Sequence, residues 1–383
     1  MNSPSIPKLF FSFLRLGLTA FGGPAMVVYV KALAVKKNKW LDEDSFREGL
    51  VLCQSIPGAT VIQLAAYVGL RMRGVVGALA SYIGFGLPAF LLMLIFSFLY
   101  NNYHDLSFVH SLFVGLQVIV VAIIVQATYS FGKNIAKSYQ AILIAVLSAV
   151  SLGIGITPFL VIPGAGLVSI FLLKNTKAPP AAADPESGRF KLAQILILLI
   201  LCSIGLTALY FIEIQTFILS VLMMKIDLFA FGGGFTSLPL MLHEIVEVRG
   251  WMNEKTFMDG IALGQVTPGP IIITATFVGY LLHGFWGSLV ATVSIFTPSF
   301  LILTIITPFF DRLKSSPLFL KATRGILASF VGLLLYVLIK FVIAVPWDIP
   351  RVLLGVVALI ALLKRIDLLY IVIIGGALSI WAF

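Results

Sequence analysis

The chain has 383 residues, 60% of them apolar and only 11% charged. That balance excludes an ordinary soluble domain, in which roughly a quarter of the residues carry charge. The 26 basic residues outnumber the 16 acidic ones to give +10; in so apolar a chain this excess points to basic cytoplasmic loops and not to nucleic acid.

In chain order, the first apolar segment is too long for a cleavable signal, and no small-residue cleavage site follows it. Its middle reads "LGLTAFGGPAMV" at 16–27, two glycines and a proline where lipid favours unbroken helix. A second break, "CQSIPGATVIQ", follows at 53–63. Apolar runs then cover 75–100, 112–131, 141–156, 159–173, 192–212, 326–345 and 352–363, to be judged against the roughly 20 residues that cross a bilayer core. Strand-type alternation is absent. Cys53 and Cys202 lie in apolar runs and imply no disulfide framework. The expected fold is an all-α polytopic membrane protein.

Residue n matches residue n+210 or n+211 along most of the chain. Phe21-Gly22-Gly23 pairs with Phe231-Gly232-Gly233, Trp40 with Trp251, Gln54 with Gln265, Pro57-Gly58 with Pro268-Gly269, and Pro88 with Pro298. The expected organisation is a first repeat at 1–173, a polar linker at 174–190, an extra transmembrane helix at 191–212 and a second repeat at 213–383. Loop charges swap sign between the repeats: Lys31, Lys36, Lys37, Lys39 and Arg47 face only Arg249 and Lys255. That asymmetry predicts inverted-topology repeats, with the N-terminus and the linker cytoplasmic. Gly49–Met72 reads either as a re-entrant helix–break–helix hairpin or as two full crossings.

Non-helical backbone is tolerated at membrane depth inside protein or beside a water-filled cavity. The four breaks are therefore expected to meet and line a site. Each break opens a half-helix whose free N–H groups and partial positive charge suit an anion. Thr60, Gln63, Thr236, Ser237, Thr267, Thr274 and Thr276 stand at these starts, and Gln54 and Gln265 just precede the breaks. Glycines that only permit close helix packing, with prolines that only kink, are the alternative. Arg15 and Lys225, again 210 apart, lie inside apolar runs; they are either functional cations or snorkelling anchors. Asp227 is placed to neutralise Lys225. Glu48 and Asp259 read as surface residues opening the second hairpin or as proton carriers. Glu244 and Glu247 read as proton or metal ligands or as a solvated face. No HExxH, P-loop or CxxC occurs, so neither an enzyme, a cofactor nor a metal site is expected.

An Arg or Lys followed by FGG, then W-[LM]-x-[DE]-x-x-F, a Q-x-x-PG break and a G-x4-G-x2-G run, all twice over, resembles the chromate ion transporter family. The resemblance covers roughly 10–100 and 220–310. It implies export of chromate, a sulfate-like dianion, across the cytoplasmic membrane by the proton motive force. The family's motif residues fall on Arg15, Gly22, Gly23, Pro24, Gln54, Pro57, Gly58 and Gln63, and on Lys225, Gly232, Gly233, Gln265, Pro268, Gly269, Pro270, Thr274 and Thr276. Unit one departs in reading Pro57-Gly58-Ala59 for the usual Pro-Gly-Pro. The expectation is thus a secondary active oxyanion transporter working by alternating access, with Glu48, Asp259, Glu244 and Asp227 as proton-coupling candidates. A passive oxyanion channel, a sulfate transporter on the same scaffold, and a non-transport scaffold or lipid-processing enzyme are the rivals. The oligomeric state is open, a homodimer included.

Overall fold

The structure, a computed structural model, describes residues 4–20, 26–136, 138–173 and 192–383. The first break (Gly22, Gly23 and Pro24) and the linker at 174–190 lie outside the described residues. In chain order the helices are α1 (Ile6–Thr19), α2 (Met26–Lys31), α3 (Glu43–Ser55), α4 (Thr60–Tyr103), α5 (Ser107–Ile135), α6 (Tyr139–Gly153), α7 (Pro158–Leu172), α8 (Leu192–Ile212) and α9 (Ile214–Phe229). They continue as α10 (Ser237–Met241), α11 (Glu254–Val266), α12 (Thr274–Ile306), α13 (Phe310–Lys314), α14 (Pro317–Ala344), α15 (Ile349–Leu363) and α16 (Leu368–Ala382). Among the described residues, five segments are long and apolar enough to cross a membrane: Thr60–Tyr103, Ser107–Lys133, Ala193–Ile212, Ile271–Phe309 and Pro317–Ala344.

Local sequence explains where helices start. Ser5 and Pro7 open α1, with the Ser5 hydroxyl accepting from the Lys8 amide. Asp42 caps α3 by accepting the Ser45 amide at 2.7 Å, and that backbone hydrogen bond holds the exposed Asp42 carboxyl below its usual range.

Backbone departures recur at the sequence offset. Arg73–Gly74 in α4 and His283–Gly284 in α12 leave the helical region with nearly the same angles, φ 64° at Gly74 and 60° at Gly284. Gly58 (φ 113°) matches Gly269 (φ 110°), and Lys39 (φ 51°) matches Gly250 (φ 59°). The π-turns at Ala32–Lys37 and Leu242–Val248 also correspond.

Several departures reverse the chain. A Cβ on Gly69 would overlap the Gly77 carbonyl, and one on Gly86 would sit 3.1 Å from Ile62 Cδ1, so α4 is a helical hairpin turning at Arg73–Gly74. In α12 the hydroxyls of Thr276 and Thr292 meet at 2.6 Å across the equivalent turn. A Cβ on Gly49 would overlap the Tyr67 ring. Residues 18 apart in a straight helix would be roughly 27 Å apart; α3 and the first arm of α4 therefore fold back at 56–59.

The chain forms two compact units, and each draws on both sequence repeats. The first comprises Met1–Ile95, Pro179–Gly234 and Thr267–Ser315. There α9 packs on α12, and α8 packs on both, with most of its own apolar surface outward as the bilayer demands. The second unit comprises Phe96–Ala178, Phe235–Val266 and Ser316–Phe383. Its helices exchange partners: α5 packs on α15 and α16, while α14 packs on α6 and α7. Gly115 meets Ser379 and Gly325 meets Ser169, reciprocal small-residue contacts at the sequence offset. The apolar runs at 141–156, 159–173 and 352–363 become helices of 15 residues, about 22 Å long at 1.5 Å per residue. That falls short of a straight crossing of a core of about 30 Å.

Candidate functional site

Within the first unit the breaks converge. The Gly58 amide donates to the Ala230 carbonyl at 2.9 Å, and the Gly269 amide donates to the Ala20 carbonyl at 3.1 Å. These bonds are equivalent under the sequence offset. Each Pro-Gly break caps the carbonyl end of the helix that precedes the other repeat's FGG break. Carbonyls at a helix C-terminus lack intrahelical donors, so each pairing satisfies a group that the break had orphaned. Pro57 and Phe231 add an isolated antiparallel bridge. A Cβ on Gly234 would sit 2.9 Å from Ile271 Cγ2, and one on Gly233 would sit 3.7 Å from the Thr60 hydroxyl. Segments 57–60, 231–234 and 268–272 thus meet, with Ala20 marking the edge of the fourth break.

Their exposure is graded. Pro57, Gly58, Pro268 and Gly269 are buried, whereas Gly232, Gly233 and Thr60 are half-buried. Gly232 and Gly233 have φ of 91° and 109°, a region that L side chains rarely adopt. The reachable floor of the site is therefore glycine backbone beside Thr60, at the N-terminus of α4.

Behind this floor lies a polar cluster. Gln63 is fully buried, and its Nε2 donates to the Pro57 carbonyl at 2.6 Å and to the Ser299 carbonyl at 3.3 Å. The Ser299 amide donates to Asp227 Oδ2 at 2.7 Å. The Tyr82 hydroxyl donates to the Phe296 carbonyl at 2.8 Å and lies 3.0 Å from Ser299 Oγ. Asp227 is fully buried in the last turn of α9.

The other residues singled out from the sequence are distributed as follows. Arg15 is exposed and Lys225 half-buried, although they are repeat mates. Gln54 is exposed. Thr267 is buried, and Thr274 is buried with its hydroxyl donating to the Ile271 carbonyl at 2.8 Å. Thr276 pairs with Thr292, so both of these α12 hydroxyls are engaged within the protein. Glu48 lies 3.7 Å from Lys314. In the second unit, Thr236 is buried and Gln265 half-buried, with no partner for Gln265 Nε2 among the described residues. Asp259 is buried there and accepts from Tyr100 at 2.9 Å and from Gln117 at 2.8 Å. Glu244 is buried and ion-paired with Arg249. Glu247 is exposed and accepts from Tyr336 at 2.6 Å, with Lys340 at 3.3 Å. Of the two, Glu244 is enclosed and Glu247 is solvent-exposed.

Sequence reasoning missed Ser299, Tyr82, Gln117 and Tyr100. Pro298 offered a signal for Ser299: a proline within an apolar run marks a kinked helix with freed backbone groups. Nothing marked the three others. An apolar groove of about 550 Å³ along α8, lined by residues such as Leu196, Ile200 and Phe211, offers no comparable donors. Its Ser203 and Thr207 hydroxyls bond their own helix backbone.

Known proteins place this geometry in context. The family model described as chromate transporter matches the chain twice, at residues 7–170 and 217–380, two matches separated by the same 210 residues. The chain is 43% identical to an uncharacterized transporter of Methanocaldococcus jannaschii, over 99% of this chain and 94% of that one. It is 30% identical to a chromate transport protein of Cupriavidus metallidurans (97% and 92% covered) and 33% identical to one of Pseudomonas aeruginosa (81% and 74% covered). No solved structure matches. Two family matches, multiple membrane-length helices and paired breaks make this chain a multi-pass membrane protein of the chromate transporter family.

Proposed function

We propose that this protein is a secondary active transporter of a tetrahedral divalent oxyanion, chromate first and sulfate as competitor, which it exports across the cytoplasmic membrane using the proton motive force. The observation that carries the reading is the meeting of the breaks around half-buried glycine backbone at the start of α4. Glycine amides and a half-helix N-terminus replace an anion's hydration shell without a bulky side chain in the way. Gln54 joins the site from the first repeat, and Thr267, Thr274 and Thr276 from the second. Lys225, and Arg15 from the surface, supply positive charge for a dianion. The relatives named for chromate transport supply the choice of ion.

The repeats at 1–173 and 213–383 run in opposite senses through the bilayer, joined by the linker and α8, and rocking of one against the other alternates access. The N-terminus and the linker face the cytoplasm. Purified protein in proteoliposomes tests the reading: chromate should accumulate against its own gradient when a pH gradient is imposed. Flux that only follows the anion gradient identifies a passive channel. Absence of both flux and oxyanion-dependent thermal stabilisation overturns transport altogether.

A further inference from the structure

Hydrogen bonding in the cluster behind the break does not balance. Its donors are the Ser299 amide, the Ser299 hydroxyl, the Tyr82 hydroxyl and the two N–H groups of Gln63. All are engaged, on Asp227 Oδ2, the Phe296 carbonyl, and the carbonyls of Pro57 and Ser299. Two buried atoms remain without a partner among the described residues, Asp227 Oδ1 and Gln63 Oε1. Both are acceptors. Buried acceptors without donors are costly, and what this cluster lacks is hydrogen. One proton on Asp227 turns an orphan acceptor into a donor, with the other orphan acceptor in the same cluster.

Among the described residues the neighbouring helices place no cation against Asp227. α8 carries no charged residue, and α12 carries only His283, which lies 3.8 Å from Glu213 at the opposite end of α9. From α4, Tyr82 reaches the cluster, and Cys53 of α3 is a buried thiol. On α9 itself Lys225 is two residues away, a spacing that directs the two side chains to different faces. The other acids differ: Glu48 and Glu244 have cationic partners, and Asp259 has two neutral donors.

We infer that Asp227 is the proton-carrying residue of this transporter, and that its protonation state controls oxyanion binding at the adjoining break. Asp227 lies three residues before Ala230, whose carbonyl anchors Gly58. A charged carboxylate there repels a dianion at the break and a neutral acid does not, so the proton travels with the anion, and the pair leaves the cell as a single net negative charge driven by the inside-negative membrane potential. Its link to Ser299, and through Ser299 to Gln63 and Pro57, ties the proton to the position of the Pro-Gly turn. This inference rests on the transport reading and assigns its coupling ion to one side chain.

The test uses the full-length protein in detergent with sulfate, which stays a dianion across the range used. Wild-type sulfate affinity should fall at least tenfold from about pH 5 to about pH 8. Asp227→Asn, which supplies a permanent donor without a titrating group, should hold affinity flat within about twofold. Infrared difference spectra give a readout independent of transport. The carbonyl stretch of a buried protonated acid should be present in the wild type, absent in Asp227→Asn, and shifted to higher frequency in Gln63→Leu, which removes the orphan acceptor. Wild-type pH dependence in Asp227→Asn overturns the inference, as does an acid band unchanged by both substitutions. Failure of the wild type to bind any oxyanion overturns the transport reading instead, and the infrared band still decides whether Asp227 carries the proton.

Discussion

Gly58→Ala attacks the point at which the two repeats lock together. Gly58 has φ 113°, and placing a non-glycine residue in such a region costs about 1–3 kcal/mol. The added methyl would overlap Ser299 Cβ and lie 2.8 Å from Gln63 Nε2. The amide end can swing aside, but at the expense of its bonds to Pro57 and Ser299, about 1 kcal/mol each. Ser299 Cβ cannot move without its helix, and overpacking of this kind costs a further ~1–3 kcal/mol. The total is about 4–8 kcal/mol before relaxation, enough to displace the break. Thermal unfolding in detergent should show a large drop in Tm, and calorimetry should show chromate binding weakened at least tenfold. Gly153→Ala is the control: nothing lies within 4 Å of its added methyl, and the change should be neutral or stabilising by up to about 1 kcal/mol. Wild-type Tm and affinity in Gly58→Ala would refute the account of the reciprocal breaks.

Gly269→Ala should be damaging but milder, because the Cβ it meets, that of Ala89 at 2.9 Å, belongs to a small side chain; the same two measurements rank it against Gly58→Ala. Lys225→Gln should reduce chromate binding at least tenfold, about 1.4 kcal/mol, and Arg15→Gln should reduce it less, since Arg15 is exposed; calorimetry on both variants decides. Single cysteines placed in 36–39 and in 247–251, in a background lacking Cys53 and Cys202, should label from opposite sides of the membrane, and same-side labelling would remove the inverted topology. Asp42→Ala should destabilise the protein by about 1 kcal/mol through loss of the α3 cap. The folded-state Asp42 carboxyl titrates below its unfolded value, so its contribution is intact at neutral pH and disappears as pH falls through the carboxylate range. The stability difference between this variant and the wild type should therefore shrink in acid.

The sequence alone determined the membrane class, the twofold repetition and the location of the breaks. These properties are local. Lipid selects long apolar helices, and glycine and proline stand wherever the backbone must leave the helix, so Gly58 and Gly269, or Gly74 and Gly284, announce their conformations without reference to neighbours. Which break meets which was not written there. The Gly58–Ala230 and Gly269–Ala20 bonds join segments more than 150 residues apart, and the sorting of each repeat between two compact units follows from helix packing that a hydrophobic run does not encode. Tertiary structure also separated residues that repetition had made equivalent. Arg15 and Lys225 occupy matching positions but differ in exposure, and Glu48 lies beside Lys314 while Asp259 is buried between Tyr100 and Gln117. Asp227 had no acidic mate at all, since its counterpart is Gly17. A carboxylate's chemistry depends on the donors and water around it, and those are assembled by α4, α9 and α12 only when the chain is folded.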